Sequence, residues 1–171
     1  MQMEESIAFN YFTMLKNKYK YILDQLPYKS SFLFVDSISL LNDNEVIGDY
    51  TLKKDAFFYE DHFAGNPVTP GSVIIEIMAQ IGLVALGVYL VTHAPDELNI
   101  TGDGGSFPLL TSTDVSFCKM VLPGEQVTVI SRKQYFRFGK LKCYIEMHNV
   151  SGEIIAKGMF SGLIKQFRHT K

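Results

Sequence analysis

The sequence predicts an α+β fold in which one antiparallel sheet wraps around a single apolar helix. Three observations carry this. Residues 73–91 read VIIEIMAQIGLVALGVYLV, apolar on every side of a helix except at Glu76 and Gln80. Runs of strand-forming residues, punctuated by turn signals, lie on both sides of that stretch, two before it and four after. The chain has 171 residues, 47% of them hydrophobic and 20% charged, which suits one folded domain with a short extension rather than a disordered chain.

The elements follow in order. Residues 6–24 place Ile7, Phe9, Tyr11, Phe12, Met14, Leu15, Tyr19, Ile22 and Leu23 at roughly helical spacing, with lysines between them. This predicts an N-terminal helix, ended by Pro27, so that residues 1–25 form a helical extension on a domain of residues 26–171. Lys16, Lys18 and Lys20 read as its solvated face. Residues 32–35 and 38–41 are rich in strand formers, and Asn42-Asp43-Asn44 is a turn signal. Residues 45–52 alternate, with Val46, Gly48, Tyr50 and Leu52 on one face, so these segments read as a hairpin. A loop set by Gly65, Pro67, Pro70 and Gly71 leads into the apolar helix, and a second loop covers residues 92–106. Strands are expected at 109–120, 124–135, 141–149 and 154–164, joined by tight turns as an antiparallel meander.

Composition excludes several functions. A formal net charge of −2 does not provide the broad basic footprint that nucleic acid requires. Cys118 and Cys143 are too few for a disulfide framework and read as reduced thiols of a cytoplasmic protein. The acidic start, Met1-Gln2-Met3-Glu4-Glu5, lacks the basic-then-apolar order of a secretion signal. The apolar helix approaches the length of a membrane span, yet it holds a carboxyl and an amide and has no flanking lysine or arginine cluster. A core helix without a membrane span is the expectation. His62, His93, His148 and His169 show no metal-ligand spacing.

The chemistry-bearing residues lie between His62 and Gln80. An imidazole and a carboxyl sharing one pocket suit general acid–base catalysis near neutral pH, and burial favours the protonated, proton-donating form of a carboxyl such as Glu76. Gly71 falls at the start of the helix, where backbone N–H groups have no helical acceptor and stabilise negative charge. A histidine in a loop is more often an ordinary polar surface residue, and a spacing of 14 residues does not by itself bring His62 to Glu76.

The stretch DHFAGNPVTPGSVIIEIMAQIG resembles the signature of the beta-hydroxyacyl-acyl-carrier-protein dehydratases, G-H-F-P-G-x-P-V-M-P-G followed after three residues by E-A-M-A-Q. Upstream, LPYKSSFLFVDSI resembles the family's L-P-H-R-Y-P-F-L-L-V-D-R-V. Downstream, VSFCKMVLPGEQV is similar to its K-F-R-R-P-V-x-P-G-D-Q-L. The resemblance covers roughly residues 20–165 and implies the hot-dog fold, a curved antiparallel sheet around a long helix. It implies His62 as catalytic base, Glu76 as catalytic acid, Gly71 as the N–H that holds the thioester carbonyl, and Gln80 as a supporting residue one turn beyond the acid. It further implies a homodimer or higher even-numbered oligomer with sites shared between protomers, a substrate linked by phosphopantetheine to acyl carrier protein, and no metal or organic cofactor. Glu rather than Asp as the acid points to the dehydratase-only branch.

Departures from the pattern bear on specificity. Asp61 stands in place of a glycine and is a potential partner for His62. Ala64 replaces a proline. Thr69 replaces a methionine and is expected to make the pocket more polar. Lys29-Ser30-Ser31 alters the upstream motif, and Lys119-Met120 the downstream one. The resemblance implies fatty acid or related biosynthesis, and these departures point to a specialised relative serving a secondary lipid, polyketide or pigment pathway rather than bulk fatty acid synthesis. Arg132, Lys133, Arg137, Lys140 and Lys142 cluster with no acidic residue from 131 to 145, either as a docking surface for an acidic carrier or as a solvated hairpin face. Phe57, Phe58, Tyr59, Phe63 and Phe107 are candidates for an acyl tunnel or for ordinary core. Two other functions compete: a non-catalytic acyl-thioester binder or inactive partner subunit, and a hot-dog thioesterase.

Overall fold

A computed structural model describes residues 18–93 and 106–166. Six strands form one antiparallel sheet: β1 Ser37–Leu41, β2 Glu45–Thr51, β3 Ser106–Phe117, β4 Gln126–Arg137, β5 Lys140–Asn149 and β6 Ile154–Gln166. Their spatial order is β1-β2-β4-β5-β6-β3. One helix, α2, runs continuously over Gly71–His93. A short helix, α1, covers Lys20–Leu23.

The sheet curves because α2 has no polar side to leave in water. Residues 77–87 are buried without a break, with Ile77, Met78, Ile81, Leu83 and Leu86 fully so, which covers every side of the helix there. Each such side chain contributes roughly 1.5–3 kcal/mol when buried. The strands answer with period-two alternation: Val127, Val129 and Ser131 on β4, and Leu141, Cys143, Ile145 and Met147 on β5, all face inward. By length and composition α2 would pass for a membrane span, but 72% of its most apolar window is buried inside the protein. Burial pushes the Cys143 thiol up to about 11, while Cys118 is exposed.

Helix and sheet approach closely. A Cβ on Gly48 of β2 would lie 2.8 Å from the Ser37 carbonyl oxygen and 2.9 Å from Ile81 Cγ2. In its middle, α2 widens to a π-helical turn over Gln80–Ala85. The Gly82 carbonyl in that turn accepts a 2.7 Å hydrogen bond from the buried Ser131 hydroxyl of β4. This buried hydroxyl therefore satisfies a backbone group of the irregular turn.

Several expectations change in detail. The meander holds for β4, β5 and β6, but β3 pairs with β6 at the far edge, because β2 already occupies the free side of β4. Residues 32–35 do not join the sheet; the first strand starts at Ser37. Phe34 and Val35 are nonetheless buried in the core. Of the N-terminal helix, only its end falls within the described residues, where Ile22 enters the core. Most of the second loop, from residue 94 to 105, also lies outside them.

The Gly48 contact includes backbone, which cannot swing aside. Gly48→Ala is expected to destabilise the fold by about 1–3 kcal/mol, measured by urea unfolding.

Candidate active site

His62 sits in a loop that is tied at several points. A short 3₁₀ turn, Phe57–Tyr59, precedes it, and the buried Tyr59 hydroxyl lies 2.6 Å from Thr69 Oγ1. The Thr69 N–H donates to the Val121 carbonyl at 2.8 Å. The His62 N–H donates to the Phe58 carbonyl at 3.0 Å, and the Val68 N–H to the His62 carbonyl at 2.9 Å. His62 Nδ1 lies 2.9 Å from the Val68 carbonyl oxygen. A carbonyl only accepts, so Nδ1 carries the hydrogen and Nε2 of the neutral ring keeps its lone pair. The loop thus selects the tautomer that leaves Nε2 basic.

Gly71 is the first residue of α2. Pro70 caps it, and the Pro70 carbonyl accepts from the N–H groups of Val73 at 3.0 Å and Ile74 at 3.1 Å. Among the described residues the Gly71 N–H has no hydrogen-bond acceptor. The Phe117 ring packs over Gly71, 3.2 Å from where a Cβ would stand. The helix N-terminus there supports negative charge.

Glu76 lies one turn further on and is half-buried. Gln80, one turn beyond it, is fully buried and makes three hydrogen bonds. Its Oε1 accepts from the Phe34 N–H at 2.8 Å, which fixes the orientation of the amide. Its Nε2 donates to the Phe32 carbonyl at 2.9 Å and to Glu76 Oε1 at 2.8 Å. This is why residues 32–34 leave the sheet: their backbone groups bond to Gln80 instead of to a strand. It also holds one oxygen of Glu76, while the other makes no hydrogen bond among the described residues.

Glu76 opens onto a cavity of about 440 Å³. Ala79, Leu83 and Val84 continue the same face of α2 along its wall, with Tyr28 and the β3 residues Leu109 and Leu110 opposite.

Comparison with known proteins decides the family. The FabA-like domain family matches residues 26–156. A 3-hydroxyacyl-[acyl-carrier-protein] dehydratase FabZ from Caldicellulosiruptor saccharolyticus is 33% identical, over 84% of this chain and 96% of that protein. The FabZ of Clostridium perfringens is 30% identical over 80% of this chain and 91% of its own. The chain belongs to the FabA-like dehydratase family. The fold agrees: the dehydratase heterocomplex ApeI:P from Xenorhabdus doucetiae superposes with a TM-score of 0.65 at 18% identity, covering 87% of this chain and 92% of that one. A hypothetical thioesterase with coenzyme A from Streptococcus pneumoniae shares the same hot-dog fold, with a TM-score of 0.53 at 11% identity over 77% and 87% of the two chains.

Within this family frame, the residues singled out from the sequence fall into two groups. Glu76 and Gln80 are joined directly, with Gly71 at the head of the same helix. His62 is not joined to them: no hydrogen bond links His62 to Glu76 among the described residues, and His62 does not line the Glu76 cavity. Asp61 is exposed and makes no ion pair with His62 among the described residues. None of the five aromatic residues weighed as tunnel or core lines the Glu76 cavity among the described residues. Phe57 and Phe63 are 78% and 58% exposed, Tyr59 is core, and the side chain of Phe107 lies outside the described residues. Thr69 does not make the cavity polar, since its hydroxyl is taken by Tyr59. The basic cluster has an acidic neighbour after all: Glu146 lies 3.9 Å from Arg132 Nη1, across the β4–β5 pairing. Tyr28 is the polar lining residue that sequence reasoning missed. Its only signal was its place in the upstream motif, LPYKSS.

Gln80→Leu strands the Phe34 N–H and the Phe32 carbonyl in the core. It is expected to cost about 3 kcal/mol, read as a lower urea midpoint with unchanged slope.

Proposed function

We propose that this chain dehydrates 3-hydroxyacyl thioesters on acyl carrier protein to trans-2-enoyl thioesters, as a cytoplasmic homodimer. The observation that carries the reading is Glu76, held by Gln80 at the mouth of an apolar cavity, in a chain aligned along 96% of a 3-hydroxyacyl-carrier dehydratase. His62 Nε2 removes the α proton of the thioester. The charge that develops on the carbonyl oxygen is stabilised by the Gly71 N–H and the helix N-terminus. Glu76 delivers a proton from its free oxygen to the 3-hydroxyl, and water leaves. The proton on His62 then returns to Glu76 and restores both groups.

Two features support the dimer. The outermost strand β3 is 12 residues long and exposes Leu109, Leu110 and Phe117. Such an edge favours pairing with another strand. The Glu76 cavity is lined by that same strand and holds no base among the described residues, which supports a site completed by the His62 of a second copy. Two equivalent sites result. Arg137 and Lys140, exposed at the β4–β5 turn, are the cations assigned to the acidic carrier or the phosphate of its phosphopantetheine.

H62A and E76Q are each expected to lower kcat/KM by at least about 100-fold, with loss of one water from the hydroxyacyl carrier followed by mass. Co-expressed together they should recover about a quarter of wild-type activity, since half the dimers are mixed and one site in each is intact. No recovery would place both groups of a site in one chain. Release of free thiol instead of water would mark a thioesterase.

Reversing charge at Arg137 and Lys140 should raise KM for the carrier-bound substrate several-fold at low salt. KM for the same acyl group on a small, uncharged thiol should not change.

A further inference from the structure

Of the nine residues lining the Glu76 cavity, seven are Pro, Ala, Leu or Val; Tyr28 and Glu76 are the two that carry polar side-chain atoms. Glu76 has a place in the reaction above and Tyr28 has none. The Tyr28 ring packs against the core and tilts against Phe32, with centroids 6.1 Å apart. Its hydroxyl makes no hydrogen bond among the described residues. Tyr28 is partly buried where it lines this apolar cavity, and a polar atom of a bound molecule would give its hydroxyl the partner it lacks there. Burial holds the phenol well above its ordinary range. Tyr28 is therefore an O–H donor at every pH at which the reaction would run.

Resting on the reading of this cavity as the dehydration site, we propose that Tyr28 donates a hydrogen bond to the 3-hydroxyl oxygen of the substrate and so selects hydroxylated thioesters over plain acyl thioesters. The chemistry fits the positions available. Gln80 occupies Glu76 Oε1, which leaves the other carboxyl oxygen for proton delivery. The departing oxygen has two lone pairs. One takes the proton from Glu76, and the other accepts from Tyr28, so the nascent water keeps a partner as its bond to carbon breaks. A site built to hydrogen-bond a hydroxyl discriminates against the analogue that lacks it.

The test separates binding from turnover. In the E76Q protein, affinities are measured for a 3-hydroxyacyl pantetheine thioester and for the plain acyl thioester of equal length. Adding Tyr28→Phe keeps the ring and removes only the oxygen. The hydroxylated ligand is expected to weaken about tenfold, as for one lost hydrogen bond, and the plain ligand to bind as before. An unchanged ratio between the two ligands, whether both weaken equally or neither does, overturns the proposal. In the otherwise unaltered protein, Y28F should lower kcat/KM for dehydration about tenfold. Full activity of E76Q would instead overturn the acid role of Glu76, and the ligand ratio would still decide the role of Tyr28.

Discussion

A helix that is apolar on every side has to be covered on every side, and this chain has one sheet with which to do it. That constraint organises the molecule. The sheet curves around α2, its inner face alternates apolar residues along β4 and β5, and Gly48 lets backbone come within contact distance of Ile81. Any polar atom placed on α2 must then find its partner inside the core. Gln80 and the Gly82 carbonyl both do, through residues 32–34 and through Ser131.

The same constraint places the chemistry. At the N-terminal end of α2 the cover is incomplete, and there Glu76 reaches a cavity while Gln80 behind it stays fully buried. The Gln80 carboxamide joins three things that are remote in sequence: the segment entering β1, the central helix, and one oxygen of the acid. A buried amide with every group satisfied is rigid. The orientation of Glu76 is thus inherited from core packing rather than from the surface. His62 is held differently, by the backbone of its own loop, and its tautomer is set by a single carbonyl.

Much of this is legible in the sequence alone. The apolar run of residues 73–91, the alternation of β2 and the turn signals after residue 106 specify both the class of fold and its central helix. They do so because hydrophobic period directly reports which face is buried. The edge position of β3 was not legible, since strand order depends on which neighbour takes β4, and nothing within β3 encodes that. Residues 32–35 look like a strand because strand formers also suit any extended, buried segment; that their hydrogen bonds go to Gln80 depends on a residue 46 positions away. The site residues were nameable from motif resemblance, but the company each keeps was not. Tyr28 reaches the cavity through tertiary packing alone.

The π turn in α2 has a consequence of its own. A turn closed by i to i+5 bonds holds one more residue than an α turn over nearly the same rise. In a plain α-helix, gaining or losing one residue rotates everything beyond it by about 100°. Here the surplus is confined to Gln80–Ala85, so the half of α2 that carries Glu76 and the half that packs Leu86 and Leu90 keep separate phases. The widened turn acts as a slip joint: the far end of the helix can be refitted to the sheet without turning the acid away from its substrate.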